Sequence, residues 1–152
     1  MPLAWRLVRE QFAGTAFSGD GAARYGGRWN SRGLRVVYAS ESRALAALET
    51  LVHLNPPLPF RYKFIPVRFD AAWVETLTAA ALPADWRQEP PPPSTRALGD
   101  RWIREGRSPV LAVPSIIIPQ ETNYLLNPAH PDFAAIERGP AEDFDFDPRL
   151  LR

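Results

Sequence analysis

Apolar residues fall into short runs along most of the chain, and turn-forming residues separate these runs. Runs that are rich in β-branched and aromatic side chains are typical of β-strands. Pro66 lies within one of them and cannot donate a ladder hydrogen bond, so that strand is expected at a sheet edge or at a bulge. The pattern predicts strands at 3–8, 34–39, 61–69, 72–78, 110–113, 123–126 and 133–136.

Two segments show the helical spacing of apolar residues. The first is predicted to begin after an N-cap at Ser40 and to continue to about Leu54, shortly before Pro56. Glu49 lies on the border of its apolar face, because it follows Leu45 by about one helical turn. This is an unusual position for a carboxylate.

The second helix is predicted from a cap at Ser94 or Thr95 to about Glu105. Pro90–Pro93, just before it, indicate a short polyproline spacer on the surface. Strands outnumber helices and do not alternate with them regularly. This order indicates an α+β fold, with a single domain over 1–152 that has a mixed or antiparallel sheet and a few helices.

Composition argues against several classes of function. Lys and Arg total 18 against 17 Asp and Glu, so the chain lacks the strong positive field of direct nucleic-acid binding. Without Cys and with only two His, disulfides, thiolate nucleophiles and most zinc sites are excluded, and no metal is expected. The sequence shows neither a membrane span nor the pattern of a secretory signal, which predicts a cytoplasmic protein.

The segment at 17–33 is rich in glycine and polar turn formers and is predicted to form a loop. Within it, the sequence Gly-Gly-Arg-Trp-Asn at 26–30 is the most informative. Its glycines allow backbone N–H groups to point into one concavity, and the arginine can bind a phosphate or carboxylate through paired hydrogen bonds. A plain tight turn with Trp29 in the core is an equally good interpretation.

Further polar side chains lie where strands end. Tyr38 closes a predicted strand and Glu49 lies on the next helix, so the turn between them could bring both to one pocket. The ordinary interpretations are a half-buried aromatic and a boundary carboxylate paired with an arginine. However, carboxylates beside apolar surface concentrate at active sites. Ser115 ends an apolar strand, but no G-x-S-x-G motif surrounds it, which argues against an acyl-transfer nucleophile.

These residues together resemble the RES-domain family, which is named for its Arg, Glu and Ser. The resemblance runs across nearly the whole chain and rests on the order and spacing of many short pieces. They are Trp5-Arg6, Ser18-Gly19, Gly21, Gly26 to Asn30, Val37 to Ser40, Ala46, Leu48-Glu49, Leu51 to His53, Leu98 to Asp100, Trp102, Val113 to Ser115, Asn127-Pro128, His130 and Asp147 to Arg149.

The resemblance implies the toxin of a bacterial type II toxin–antitoxin pair, whose partner is an antitoxin with an Xre-like helix-turn-helix DNA-binding region. Members of the family destroy NAD by phosphorolysis or hydrolysis of the bond between nicotinamide and ribose. NAD would therefore be a substrate rather than a cofactor, and inorganic phosphate is a candidate co-substrate. The implied fold is similar to ADP-ribosyltransferase toxins such as diphtheria toxin.

The resemblance also implies which residues form the site. Arg28, Glu49 and Ser115 match the three residues that name the family and are expected to be catalytic. The residues expected to bind substrate are Arg6, Tyr38, Asn30 and Asn127.

Two other functions stay open at this point. Some relatives ADP-ribosylate a protein instead, and this reaction would use the same site. A non-catalytic binding module is a further alternative, in which Glu49 and Arg28 form only a structural ion pair with each other.

Overall fold

The computed structural model describes residues 2–53 and 61–151. Within these residues, eight strands belong to one sheet, and three α-helices accompany it. The strands are β1 (Leu3–Arg9), β2 (Val37–Ser40), β3 (Tyr62–Arg68), β4 (Val74–Thr76), β5 (Val110–Pro114), β6 (Thr122–Leu126), β7 (Glu137–Arg138) and β8 (Glu142–Phe144). The helices are α1 (Asp20–Tyr25), α2 (Arg43–Leu51) and α3 (Pro93–Glu105).

The sheet has the strand order β4-β5-β6-β2-β1-β3, and the far side of β3 pairs with both β7 and β8. Adjacent strands in the sheet are antiparallel, except for β4 and β5, which are parallel. The prediction of a single α+β unit with a mixed sheet and few helices is therefore confirmed. No helix among the described residues is long and apolar enough to span a membrane.

Side chains of β1 alternate between two hydrophobic clusters, one on each face of the sheet. Ala4 and Val8 belong to one cluster, and Trp5 and Leu7 belong to the other. Arg6 lies between Ala4 and Val8 in this alternation. A charged side chain at an inward position of a central strand needs polar partners, because burial without them is costly.

The sheet opens beside Arg6. β1 and β2 pair at a single position, where Trp5 lies opposite Ser40. The Arg6 guanidinium instead donates from Nη1 to the carbonyl oxygen of Tyr38 at 3.1 Å and from Nε to that of Ala16 at 2.8 Å. The arginine therefore takes up a backbone acceptor of β2 that a closed ladder would use, and a cleft forms where the two strands separate.

Helix α3 fixes the loop that carries Arg28. The hydroxyl of Thr95 donates to the backbone oxygen of Arg28 at 2.7 Å. One turn further on, the Asp100 carboxylate accepts from the backbone N–H and the hydroxyl of Ser31 at 2.8 and 2.5 Å. Trp29 packs between these contacts and is 3% exposed. The tight-turn interpretation holds as well, since the Gly27 N–H donates to the carbonyl of Asn30 at 2.9 Å.

Helix α2 begins later than its sequence predicts. Ser40 ends β2, and Ser42 is the N-cap, accepting a hydrogen bond at Oγ from the N–H of Leu45 at 3.0 Å. Both serines can cap a helix. Ser40 is paired with Asn123 of β6 and therefore belongs to the strand, which leaves Ser42 as the cap. The helix ends at Leu51, and the predicted end near residue 54 lies outside the described residues.

Helix α3 also begins differently from its prediction. Pro92 is its N-cap and Pro93 is its first residue, where the missing N–H has no consequence. Ser94 and Thr95 therefore lie inside the first turn. The helix ends at Glu105 as predicted, and Gly106 follows it in the left-handed conformation. The proline run is not simply a surface spacer, because Pro92 is buried.

Three strand or loop predictions are corrected by the structure. The 17–33 segment contains α1, which Gly19 and Gly26 flank with positive φ angles of 76° and 72°. The predicted strand at 133–136 is a 3₁₀ turn, because consecutive short-range bonds from His130 onward satisfy its backbone, and β7 follows it. The strand predicted at 34–39 begins only at Val37.

The sequence context predicted that Pro66 lies at a sheet edge or at a bulge, and the edge alternative is wrong. β3 has neighbours on both sides, with Tyr62 to Phe64 paired to β8 and Val67 to Arg68 paired to β7. Pro66 falls between these two short pairings, so its missing N–H leaves no ladder bond unmade. Its carbonyl still accepts from the N–H of Gly139 at 2.9 Å.

Gly99→Ala should test how tightly α3 packs on the Arg28 loop. A Cβ at residue 99 would lie 1.7 Å from the carbonyl oxygen of Trp29, so helix and loop must separate. We expect the free energy of unfolding to fall by about 2 kcal/mol or more. Gly21→Ala in α1 is the matched control, since it meets no atom within 4 Å and should be neutral or stabilising. Equal denaturant midpoints for the two variants would contradict this packing.

Candidate active site

A cavity of about 1240 Å³ occupies the cleft beside β1 and β2. It is bordered by the Arg28 loop, α1, α2 and the segment after β5. Five of the seven residues that the sequence singled out line this cavity. They are Arg6, Arg28, Asn30, Tyr38 and Glu49.

Glu49 projects from α2 and is held by two neutral donors. Its Oε1 accepts from the Ser115 hydroxyl at 2.7 Å and from Asn123 Nδ2 at 2.8 Å. Neither donor carries a charge, so the carboxylate is fixed in position but not neutralised. The carboxylate thus presents its negative charge to the cavity.

Ser115 reaches the site through Glu49 rather than directly. It is fully buried, and the N–H groups of Ile117 and Ile118 both donate to its Oγ at 3.1 Å. These two donors occupy the oxygen lone pairs, so the hydroxyl hydrogen is directed to the carboxylate. The serine at the end of β5 is therefore a positioning residue for Glu49 in this structure.

Asn123 is a site residue that the sequence analysis did not single out. Ser40 Oγ donates to Asn123 Oδ1 at 2.7 Å, which leaves the amide nitrogen turned toward Glu49. Ser40 and Asn123 face each other because they are opposite each other where β2 pairs with β6. The sequence shows only a polar residue in a short predicted strand. Its place beside Glu49 follows from the strand register, which the sequence does not show.

Arg28 lies on the same cavity and is surrounded by acceptors from the segment before α3. Its Nη1 donates to the carbonyl oxygens of Trp86 and Gln88 at 3.1 and 2.7 Å, and its Nη2 donates to the Glu89 carboxylate at 2.5 Å. Burial lowers the pKa of Arg28, and the negative charges of Glu89 and Glu49 oppose that effect. Glu49 therefore lies close enough to act electrostatically on the arginine.

The pairing of Glu49 with Arg28 as a structural ion pair is not what the structure contains. Glu49 is bonded to Ser115 and Asn123, and Arg28 to Glu89. The two charges face one cavity with separate supports. In this arrangement neither charge neutralises the other.

Half-buried Tyr38 and buried Asn30 form a hydrogen-bonded pair at the base of the Arg28 loop. The Tyr38 hydroxyl donates to Asn30 Oδ1 at 2.6 Å, and it accepts from the Trp29 N–H at 3.3 Å. Burial raises the pKa of Tyr38, so the phenol stays protonated. The Asn30 amide nitrogen is within hydrogen-bond distance of three backbone carbonyls, and its polar atoms are thus already partnered within the protein.

The sequence suggested that the N–H groups of the loop glycines point into one concavity and form an anion-binding nest. This prediction is wrong. The Gly26 N–H donates to the Ala22 carbonyl at 2.8 Å, and the Gly27 N–H closes the tight turn. Gly27 is required for a different reason, since a Cβ there would lie 2.8 Å from the Tyr38 hydroxyl and 2.9 Å from Asn30 Oδ1. Its role is to let the tyrosine approach the backbone.

Arg6 lines the cavity beside the opening of the sheet. Burial lowers its pKa to about 10, so it remains charged near neutral pH. Its two backbone acceptors, at Ala16 and Tyr38, hold the guanidinium plane in the gap between β1 and β2.

Asn127 does not reach this cavity. It is 1% exposed at the end of β6, and its amide nitrogen donates to the carbonyl of Ile103 in α3 at 3.2 Å. Its Oδ1 accepts from the N–H of Ala129, as an asparagine in a turn commonly does.

No group of three His, Asp or Glu residues with metal-binding geometry occurs among the described residues.

A family model described as "RES domain" matches residues 3–147. The chain belongs to the RES-domain family.

Proteins from several bacteria resemble it over nearly their whole length. A protein of Sphingobium sp. (strain YBL2) named "Prs ADP-ribosylating toxin" is 40% identical over 154 residues, which cover 97% of this chain and 96% of that protein. A "Toxin Res" of Pseudomonas putida (strain KT2440) is 39% identical over 153 residues, which cover 98% and 99%. A "Toxin Res" of Yersinia enterocolitica is 34% identical over 150 residues, which cover 97% and 99%.

Among solved structures, the chain is similar to one from the M. tuberculosis MbcT-MbcA toxin-antitoxin complex. The TM-score is 0.74 at 18% identity, with 98% of this chain and 86% of that chain covered. The two therefore share a fold.

Asn123→Asp should make folding stability depend on pH. Two carboxylates at hydrogen-bond distance repel each other when both are ionised, so their pKa values rise in the folded protein. The folded state then binds more protons than the unfolded state, and stability is lost as pH rises through the folded pKa. We expect unfolding to need about 1–3 kcal/mol less at about pH 8 than at about pH 5, relative to the wild type.

Asn123→Ala is the control, because it removes the amide without adding a charge. Its stability loss should change much less between the two pH values than that of Asn123→Asp, because one neutral donor is lost and no second charge is added. If Asn123→Asp also loses stability independently of pH in urea titrations, residue 123 does not adjoin Glu49.

Proposed function

We propose that this protein is the toxin of a bacterial toxin–antitoxin pair and that it cleaves NAD between nicotinamide and ribose. One observation carries the proposal. An ionisable carboxylate, Glu49, is held by two neutral donors at the wall of a large cavity that Arg6 and Arg28 also line. Membership of the RES-domain family and the names of the relatives as toxins support the same proposal.

The chemistry of NAD cleavage needs little more than this set of side chains. The nicotinamide ring is cationic in the substrate and leaves as a neutral molecule, taking the electrons of the bond between its ring nitrogen and the ribose carbon. The ribose carbon acquires oxocarbenium character. Ordinary glycoside hydrolysis needs a second carboxyl to protonate the leaving oxygen, whereas this leaving group needs no proton.

Glu49 would stabilise the positive charge that develops on the ribose. A carboxylate that is fixed beforehand needs no reorganisation during the reaction, which is the basis of electrostatic catalysis. Ser115 and Asn123 would contribute by holding it in place. Arg28 and Arg6 would bind the pyrophosphate through charge-assisted hydrogen bonds, with Tyr38 and Asn30 supporting the Arg28 loop.

The acceptor of the ADP-ribosyl group is phosphate or water in this proposal. An oxygen of either molecule attacks the ribose carbon as nicotinamide leaves, giving ADP-ribose 1″-phosphate or ADP-ribose. When water is the acceptor, its proton is released to solvent. A protein acceptor is the second candidate, and the 40% identical relative named as an ADP-ribosylating toxin favours it. All three reactions break the same bond at the same carboxylate.

The partner in this proposal is an antitoxin, which we infer to carry the Xre-like helix-turn-helix. Its support is the shared fold with a toxin that was solved in a toxin–antitoxin complex. The DNA contact would then belong to the antitoxin, in keeping with the near-neutral net charge of +1 here. We infer that the toxin acts in the cytoplasm, where NAD is available.

Glu49→Gln should retain the fold and lose turnover. The glutamine oxygen can still accept from Ser115 and Asn123, but the negative charge is gone. We expect nicotinamide release from NAD to slow at least about 100-fold, and growth inhibition on expression to disappear. Glu137→Gln, an exposed change on β7, is the matched control and should behave as the wild type. NAD loss at the wild-type rate in Glu49→Gln would refute the role of the carboxylate.

Arg28→Lys should weaken NAD binding even though the charge is kept. A lysine ammonium is a point charge and cannot reach Trp86, Gln88 and a phosphate together, as a guanidinium can. We expect the KM for NAD to rise about tenfold. Arg35→Lys, at an exposed ion pair with Asp20, is the control. An unchanged KM in Arg28→Lys would remove the arginine from the binding site.

The acceptor can be identified with pure protein and labelled NAD. ADP-ribose 1″-phosphate formed only when phosphate is present supports phosphorolysis, and ADP-ribose formed in both conditions supports hydrolysis. Label fixed to a protein in a cell extract, without either product, supports the second candidate.

A further inference from the structure

The segment before α3 lies over Arg28 and supplies all of its hydrogen-bond acceptors given above. Two of these are backbone oxygens, at Trp86 and Gln88, and the third is the Glu89 carboxylate. The two ion-pair partners differ greatly in exposure. The side chain of Arg28 is 9% exposed, whereas that of Glu89 is 65% exposed.

This difference makes the ion pair easy to exchange. Glu89 is already mostly hydrated, so turning it into solvent costs little desolvation energy. Arg28 is largely buried, and leaving its charge without an anion would be costly. A phosphate that enters as Glu89 leaves would keep the guanidinium paired throughout.

The backbone of this segment is fixed, so the exchange needs only a side-chain movement. Ser94 donates to Asp85 Oδ1 at 2.5 Å, and Arg96 donates to the carbonyl of Pro91 at 3.0 Å. Pro92 is buried and is followed directly by the first turn of α3. The run at 90–93 thus connects Glu89 to a rigid support, and the backbone oxygens of 86 and 88 keep Arg28 oriented.

We propose that Glu89 determines the substrate specificity of this site by occupying the phosphate position on Arg28 until a ligand phosphate displaces it. This inference rests on the proposed function, in which Arg28 binds a phosphate group. Ligands with a phosphate or pyrophosphate can replace Glu89 at Arg28. Ligands without a phosphate cannot replace Glu89, so the buried guanidinium would stay paired with Glu89 when they bind.

Binding to a catalytically silent protein tests this directly. Isothermal titration would compare Glu49→Gln with the double variant Glu49→Gln/Glu89→Gln, using ADP-ribose, adenosine and inorganic phosphate as separate ligands. Because a competing anion is removed, we expect the double variant to bind ADP-ribose about three- to tenfold more tightly, with adenosine unchanged. Tighter binding of inorganic phosphate as well would place the free anion at the same position.

The exposed change Glu137→Gln in the Glu49→Gln background is the matched control and should leave every affinity unchanged. Equal or weaker ADP-ribose binding after removal of Glu89 would overturn the proposal, since weaker binding means that Glu89 orients Arg28 rather than competes with substrate. If Glu49→Gln binds no ADP-ribose at all, the proposed function itself fails, and this outcome is distinct from the others.

Thermal melting gives a second, independent measurement. Glu89→Gln should melt at a lower temperature than the wild type, because Arg28 loses its counter-charge. Added phosphate should restore the melting temperature of this variant by more than it raises that of the wild type. Equal shifts in the two proteins would count against the exchange.

Discussion

The site depends on a carboxylate that is held without being neutralised. Glu49 accepts from Ser115 and Asn123, and neither donor carries a charge. Each donor is oriented by a further contact, from the backbone after β5 in one case and from Ser40 in the other. Had an arginine been the partner instead, the charge would be compensated within the protein and little of it would remain for a ligand.

The cationic side of the cavity is built on a different principle. Arg6 is positioned by two backbone oxygens, which fix its guanidinium without neutralising it. Arg28 is oriented by two backbone oxygens and also pairs with the largely exposed Glu89 carboxylate. The two frameworks meet because the sheet opens between β1 and β2 and because α3 holds the Arg28 loop through Thr95 and Asp100. Opposite charges can then face one cavity without pairing to each other.

The sequence predicted the fold class, the strands that carry strong β-branched runs and the α2 and α3 helices. It did not predict α1, because glycines at 19 and 26 indicate a loop and also serve as the ends of a short helix. Choosing Ser42 rather than Ser40 as the cap depends on the pairing of β2 with β6, which is a long-range contact. Local propensity carries no information about such contacts.

The same limit applies to the site. The chemistry of Glu49 and Arg28 could be proposed from residue type and spacing, and that of Arg6 only from the resemblance to the family, whereas Asn123 matters only through strand register. A crystal structure with ADP-ribose bound would test the whole arrangement most directly. We expect the ribose carbon that carried nicotinamide to face the Glu49 carboxylate and a phosphate to contact Arg28. ADP-ribose bound outside this cavity, or with its pyrophosphate turned away from both arginines, would contradict the account.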